Sequence, residues 1–180
     1  MEDKLNVAVI YGSTRPGRFC DKVAGWVGTQ LAKTGNFSTT IVDPAARGYV
    51  DSLRGRLAEA DAFIVVTPEY NHGYPAPLKS LIDSIGAEWY AKPVAFVSYG
   101  GVSGGLRAVE QLRLVFAELH AVTMRDAVSF ASAWEQFDNT GTLQAPERAE
   151  RTMATMLTRL RWWALALRSA RKATPYQQNA

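Results

Sequence analysis

The stretch LNVAVIYGSTRPGRFCDKVAGWVGTQLAK, residues 5–33, decides the fold class of this chain. Its first seven residues are rich in β-branched side chains and stop at Gly12, which predicts a strand. From Phe19 to Lys33 the apolar residues recur at helical spacing, which predicts a helix. A strand that leads through a glycine-bearing loop into a helix is the first unit of an alternating α/β fold.

The same order of strand, loop and helix recurs along the rest of the chain. Further strands are predicted at 39–42, 62–67, 94–99 and 121–124, and further helices at 50–60, 77–85, 105–119 and 146–171. Five strands that alternate with five helices predict one α/β domain over residues 1–180, with a parallel sheet and helices on both of its faces. Ligands of such sheets bind at the carboxyl ends of the strands, so the loops after strands one, three and four are expected to carry the chemistry.

Composition narrows the class of protein. Of the 180 residues, 47% are hydrophobic and 21% are charged, which is ordinary for a globular protein and excludes a disordered chain. The excess of 20 Lys and Arg over 17 Asp and Glu is too small to indicate nucleic acid, but it suits an anionic small ligand. One cysteine, no secretory leader pattern and no apolar run of about 18–20 residues lead us to expect a cytoplasmic protein without a membrane span.

The loop at 12–18, GSTRPGR, has the features of an anion site. The helix that follows offers free N–H groups, Ser13 and Thr14 offer hydroxyls, and Arg15 and Arg18 offer charge in a forked geometry suited to phosphate. It is neither a P-loop, since Arg18-Phe19 stands where Lys and Ser or Thr are needed, nor a G-x-G-x-x-G dinucleotide loop. We expect phosphate binding here, against the alternative of a polar loop in solvent. A thiol in the first helical turn, as at Cys20, can have a lowered pKa, but a thiol at such a position is more often one without a catalytic role, which is the interpretation favoured here.

The loop at 68–77, PEYNHGYPAP, is stiffened by three prolines. Tyr70, Tyr74 and His72 offer flat faces, and Asn71 can both donate and accept hydrogen bonds. Beside a phosphate site, such a loop suits a planar heterocycle that carries a phosphate tail. A proline-rich connection with surface tyrosines is an equal alternative on composition alone.

The loop at 98–107, SYGGVSGGLR, holds four glycines, which let a backbone approach a ligand closely. Within it, GVSGG matches the G-x-S-x-G motif of serine hydrolases. The chain has two histidines, His72 before this serine and His120 at the end of the next helix. The hydrolase order of serine, acid and then a late histidine is poorly met, which disfavours hydrolysis.

Taken together, GSTRPGRF at 12–19, TPEYNHGYPAPLKSLID at 67–83 and SYGGVSGGLRA at 98–108 resemble the NADPH-dependent FMN reductase family. The resemblance implies a flavodoxin-like fold with strand order 2-1-3-4-5, bound FMN, and NADPH or NADH as the co-substrate. It also implies a homodimer or homotetramer. The family includes flavin, quinone, azo-dye and chromate reductases, so the expected partner is a small-molecule electron acceptor.

The resemblance also assigns residues to the cofactor. In the family the first loop holds the FMN phosphate, the PEYN segment edges the isoalloxazine, and the SYGG segment borders the ring on its other side. Carried onto this sequence, the cofactor-binding residues are Ser13, Arg15, Arg18, Phe19, Cys20, Pro68, Glu69, Tyr70, Asn71, Ser98, Tyr99, Gly100 and Gly101. Family members often have a longer segment where this chain has 43–49, so we expect a more open flavin face.

The resulting prediction is an oxidoreductase in which hydride passes from NAD(P)H to FMN and then to an acceptor. The flavin carries the chemistry, so no protein acid, base or metal is required, although His72 could donate a proton to an acceptor. A flavodoxin-type electron carrier and a flavin-binding regulatory protein are the alternatives. The last helix is predicted to bury an apolar stripe of Met153, Met156, Leu157, Leu160, Trp163, Ala164 and Leu167. Trp162 and Leu165 lie off this stripe, so we expect that flank to form a partner surface in a homodimer, the alternative being that Trp162 packs on its own domain.

Overall fold

The computed structural model describes residues 4–46 and 50–176. The strands are β1 (Leu5–Tyr11), β2 (Phe37–Val42), β3 (Ala62–Pro68), β4 (Pro93–Gly100) and β5 (Val122–Ala131). The helices are α1 (Cys20–Thr34), α2 (Val50–Glu59), α3 (Ala76–Asp83), α4 (Leu106–Glu118), α5 (Ala133–Gln136) and α6 (Glu147–Ala173), with a single 3-10 turn at Ala87–Trp89.

The five strands form one sheet in the order β2-β1-β3-β4-β5, and every neighbouring pair is parallel. The predicted strand order is therefore confirmed. All residues of β3 are buried, as the continuous apolar run at 62–67 predicts for a strand with helices on both sides. The chain passes from β1 to β2 on one side and returns to β3 on the other, so the switch point of the sheet lies between β1 and β3.

Helices cover both faces of the sheet, again as predicted. On one face, α1 and α6 pack against the sheet, with Trp26 of α1 edge-on to Phe130 of β5 at 5.2 Å between ring centroids. On the other face, α2, α3 and α4 bury a core around Trp89, whose ring lies 4.7 Å from Phe63 and 5.3 Å from Phe116. None of the helices in the described part of the chain has the length and apolar character needed to cross a bilayer.

The prediction fails at the fifth strand, which continues to Ala131 instead of ending at Met124. The register between β4 and β5 shifts between Val94 and Phe96, where Thr123 and Ala127 are the successive partners. This bulge lets the polar pair Arg125-Asp126 stand in an edge strand, after which regular pairing resumes. The expected polar loop up to Ala145 also contains the short helix α5, so the described residues hold six α-helices instead of five.

The inward stripe of α6 is narrower than the sequence pattern indicates. Met153, Met156, Leu157, Leu160 and Ala164 are buried, but Trp163 is 38% exposed. The expectation that Trp163 packs in the core is therefore wrong. The neighbouring Ala164 is fully buried and takes the inward position, while the larger Trp163 ring lies at the side of the helix.

Candidate functional site

The loop after β1 begins with a close approach between two strands. The N–H of Gly12 donates to the carbonyl of Val66 at 2.7 Å, and a Cβ on Gly12 would lie 2.8 Å from that same oxygen. Glycine is thus required at this point. The approach places the buried side chain of Ser13 at the switch point between β1 and β3.

The start of α1 is open to an anion. Phe19 occupies the N-cap and supplies no side-chain hydrogen bond to the helix. The first N–H groups and the positive end of the helix dipole are therefore available to a ligand. The ring of Phe19 packs against Tyr99 at 5.8 Å and fixes the position of this terminus relative to β4.

The two arginines of the loop have different surroundings. Arg15 is exposed, and its guanidinium carbon lies 3.6 Å from the centroid of the Tyr70 ring. Arg18 is largely buried and donates to both carboxylate oxygens of Asp43, to Asp21 and to the carbonyl of Ser13. Hydrogen bonding to Arg18 is the main reason why the pKa of Asp43 is lowered. The guanidinium of Arg18 therefore already donates to acceptors within the protein, whereas the guanidinium of Arg15 is exposed to solvent.

Cys20 does not have the environment of a reactive thiol. Its side chain is inaccessible to solvent, and its Sγ lies 3.6 Å from the carbonyl oxygen of Val66. Burial raises the pKa of the thiol and outweighs the hydrogen bonds from Tyr99 and the backbone that lower it, which agrees with the interpretation of Cys20 as a thiol without a catalytic role. Only the backbone of Cys20 is left to contact a ligand at the start of α1.

The loop after β3 owes its shape to a tight turn as well as to its prolines. Tyr70 and Gly73 exchange backbone hydrogen bonds at 2.9 and 3.0 Å. The two residues between them, Asn71 and His72, have φ values of 50° and 68°, the pattern of a type I′ turn. This turn exposes both side chains, and it directs the hydroxyl of Tyr70 to within 2.8 Å of Ser13 Oγ. The side chain of Tyr70 therefore contacts the loop after β1 and links the two loops.

Glu69 of the PEYN segment connects two loops. Its carboxylate accepts 2.7 Å and 3.1 Å bonds from the guanidinium and the backbone N–H of Arg107, in the first turn of α4. Its side chain is 7% exposed. Burial would raise the pKa of this carboxyl, but hydrogen bonds from Ser103 and Arg107 lower it overall. Glu69 therefore acts as a cap for α4 supplied by a neighbouring loop.

The loop after β4 folds back on its own strand. The hydroxyl of Ser98 donates to the carbonyl of Gly104 at 2.8 Å and is buried. Gly105 has a φ of 84°, and a Cβ there would lie 2.7 Å from that of Ser98. Tyr99 is also buried, and burial raises the pKa of its phenol. Of the predicted SYGG residues, Gly100 and Gly101 are the ones whose backbone is partly open to solvent.

Three residues around these loops are not indicated by the sequence pattern. Asp43 and Arg107 are the partners of Arg18 and Glu69, and Trp134 of α5 lies beside Gly101 with 59% of its surface exposed. A tryptophan within a stretch expected to be a polar loop was the available signal. The predicted short segment 43–49 is described up to residue 46, while 47–49 lie outside the described residues.

Comparison with known proteins agrees with this geometry. Residues 5–135 match the NADPH-dependent FMN reductase family. An NAD(P)H-dependent FMN reductase of Schizosaccharomyces pombe is 35% identical over 119 residues, 55% of this chain and 60% of that protein. A quinone reductase of Escherichia coli is 32% identical over 143 residues, 69% of this chain and 76% of that protein.

Among solved structures, the flavoenzyme NAD(P)H:(acceptor) oxidoreductase FerB of Paracoccus denitrificans superposes with a TM-score of 0.71 at 23% identity. The match covers 88% of this chain and 97% of FerB, and it supports the flavodoxin-like fold. The family match includes all five strands and the loops between them. It runs from the first residue of β1 through the whole of β5 to Glu135 in α5. On this extent of agreement, the chain belongs to the NADPH-dependent FMN reductase family.

Proposed function

We propose that this protein binds FMN and transfers hydride equivalents from NADPH or NADH to a small-molecule acceptor. The observation that carries the proposal is the anion cradle at the switch point, formed by the start of α1, whose N-cap side chain makes no hydrogen bond, and the exposed guanidinium of Arg15, beside the buried Ser13 hydroxyl that is bound to Tyr70. The donor set fits a phosphate monoester, because N–H groups, hydroxyls and a guanidinium all donate. Family membership agrees with the same assignment.

In this proposal the residues of the first two loops divide the work of binding. Arg15, Ser13 and the backbone of Phe19 and Cys20 hold the phosphate, while Tyr70 joins the phosphate loop to the ring loop through its hydroxyl. Arg18 donates to Asp43 and to the carbonyl of Ser13, and so stabilises the conformation of the phosphate loop. These groups orient the cofactor and do no covalent chemistry.

The ring side is built from backbone and small residues. Pro68, Asn71, Gly100 and Gly101 border the isoalloxazine in this proposal, and Glu69 holds the two ring loops together through Arg107. When bound, FMN supplies the two-electron chemistry between NAD(P)H and the acceptor. His72 would be the candidate proton donor to a reduced acceptor, the alternative being a loop histidine without a role, and its side chain is exposed on the turn.

The acceptor, the location and the assembly are also proposals. Relatives named FMN reductase and quinone reductase favour flavins and quinones as acceptors. The single cysteine, which is buried, suits the reducing cytoplasm. A homodimer or a homotetramer is proposed from the resemblance and from the exposed flank of α6.

Anaerobic spectroscopy tests the proposal. The protein reconstituted with FMN should lose its yellow absorption directly on addition of NADPH and regain it on addition of a quinone. Steady NADPH consumption with that quinone would exclude a regulatory protein without turnover. Failure to bind FMN, or bound FMN that NADPH cannot reduce, would contradict the assignment as a reductase.

A further inference from the structure

An exposed indole stands beside the loop that borders the proposed flavin site. Trp134 is 59% exposed, and its Cη2 atom lies 3.7 Å from the point that a Cβ on Gly101 would occupy. Nothing in the family assignment or in the phosphate cradle gives this side chain a role. A large apolar surface left open at the edge of a site indicates a surface that a ligand covers.

The short helix that carries Trp134 is firmly anchored. Ala133 and Phe137, on either side of the exposed ring, are buried. The Phe137 ring packs against Phe19 at the start of α1 and against Phe130 of β5, at 5.7 and 5.0 Å. The helix therefore packs against Phe19 at the N-cap position of α1, and these contacts hold the backbone that carries the indole in place relative to the cradle.

The loop after β5 is also joined directly to the loop after β4. The N–H of Ser132 donates to the carbonyl of Gly101 at 2.9 Å, and Ser132 adopts a left-handed φ of 46°. A left-handed non-glycine residue costs free energy, and here it is the residue that turns the chain from β5 into α5. The strained backbone conformation of Ser132 therefore lies at the turn that positions Trp134 next to Gly101.

We propose that Trp134 is a specificity-determining residue that stacks on the ring of an aromatic two-electron acceptor, such as a naphthoquinone. This inference rests on the proposed function. The indole offers a flat apolar face with little rotamer entropy to lose, which favours planar rings over small anionic acceptors. The catalysed step is NADPH + H⁺ + quinone → NADP⁺ + hydroquinone, in which the quinone gains two electrons and two protons.

The test compares two acceptors in Trp134→Ala and Trp134→Phe. Loss of one aromatic stacking contact corresponds to an increase of about 3- to 10-fold in the KM for menadione. Trp134→Phe should restore most of the affinity. Ferricyanide, reduced as NADPH + 2 Fe(CN)₆³⁻ → NADP⁺ + H⁺ + 2 Fe(CN)₆⁴⁻, needs no ring contact, so its rate should stay unchanged in both variants.

Two measurements separate stacking on the acceptor from other roles. The FMN Kd should be the same in wild type and Trp134→Ala, because the indole contacts the acceptor and not the cofactor. The fluorescence difference between wild type and Trp134→Phe isolates this indole, and menadione should quench it. Leu114→Ala, an exposed apolar residue on the outer face of α4, serves as the matched control without effect on menadione.

Each adverse result has its own meaning. Equal losses with menadione and ferricyanide, a weakened FMN Kd, or dissociation of an oligomer in Trp134→Ala would each overturn the inference. A wild-type protein that oxidises NADPH with neither acceptor contradicts the proposed function itself. Turnover with ferricyanide, combined with an unchanged KM for menadione in Trp134→Ala, overturns the role of Trp134 alone.

Discussion

Arg18 and Asp43 form a bidentate ion pair in which the guanidinium Nη1 lies 2.7 Å from the carboxylate Oδ1 and Nη2 donates to Oδ2. The side chains are 10% and 23% exposed. The pair joins the loop after β1 to the end of β2, two segments that are 25 residues apart in the chain. Three residues before Arg18, Arg15 is exposed and rests on Tyr70, so one arginine shapes the cradle and the other is left to bind.

Replacing Asp43 should destabilise the fold in a pH-dependent manner. Asp43→Asn leaves the Arg18 charge without its main partner, and we expect a loss of about 2 kcal/mol, between the values for exposed and buried pairs. The folded pKa of Asp43 lies below its unfolded value. Its contribution is therefore complete above the unfolded pKa of about 4 and is lost as the pH falls through the lower folded pKa.

Urea unfolding at pH 7 and at several values below pH 4 checks this expectation. The difference between wild type and Asp43→Asn should shrink with acidification. Asp83→Asn removes the exposed pair with Lys79 and is the matched control, with a change near zero. A loss at pH 7 no larger than that of the control would show that the pair does not hold the loop.

Arg15→Ala should weaken FMN binding by about one to two decades in Kd, because a charge-assisted contact to phosphate is worth about 1.5–3 kcal/mol. Riboflavin lacks the phosphate, so its Kd should not change. Fluorescence titration of the apoprotein with both ligands measures the two values. Arg125→Ala, an exposed arginine at the bulge of β5, is the control and should leave both unchanged. Equal losses for FMN and riboflavin would contradict a phosphate contact.

The sequence predicted the loops of the site better than it predicted the partners within them. Local spacing identified the strand, loop and helix units, because apolar periodicity follows from which face each residue buries. Arg15 and Arg18 look alike in sequence, and only the end of β2 brings Asp43 to one of them. Glu69 is predicted to border the ring, and the sequence does not indicate that its carboxylate binds Arg107 at the start of α4.

The misjudged end of the fifth strand has a similar cause. The pair Arg125-Asp126 interrupts the apolar pattern, and a bulge absorbs it, so the strand continues for five residues after that pair. The longer strand is what brings α5 and Trp134 to the carboxyl edge of the sheet. A bulge depends on pairing with β4, which local pattern does not encode.

Lys92 gives the protein a second pH-dependent element, on the amino-terminal side of the sheet. Its ammonium donates to the carbonyls of Leu57 and Ala58 at the end of α2, and its side chain is buried. Burial, with a smaller effect from nearby Arg171, lowers the pKa of Lys92 to about 8, although the charges of Asp61 and Glu88 oppose this. Between about pH 8 and 10.5 the unfolded chain binds more protons, so stability should rise with pH.

Lys92→Met tests this sign. Relative to the variant, wild type should gain stability from pH 7.5 to pH 10, by at most about 3 kcal/mol for a depression of this size. Chemical unfolding of both proteins at matched pH values isolates the contribution of one lysine. Lys4→Met, at an exposed lysine, should show no such difference in slope. A stability difference that does not vary with pH would mean that Lys92 keeps its ordinary pKa.

The exposed flank of α6 is expected to mediate assembly. Trp162 is 64% exposed and packs edge-on against Trp163 at 5.2 Å. The ring lines a groove between α6 and the start of β2, together with Phe37 and Leu165. Two neighbouring exposed tryptophans are typical of an interface centre, where truncation of one such residue costs about 2 kcal/mol or more, close to a 30-fold change in Kd.

We therefore expect a homodimer at micromolar concentration and a shift of Trp162→Lys toward the 19.8 kDa monomer in sedimentation velocity. Leu114→Lys is the control, because Leu114 is 76% exposed on α4, a helix on the opposite face of the sheet. If Leu114→Lys dissociates the dimer and Trp162→Lys does not, the interface lies on the α4 face. Monomeric wild type would contradict the prediction of assembly, while the FMN titrations above would still test the cradle independently, since Trp162 lies outside the loops that form it.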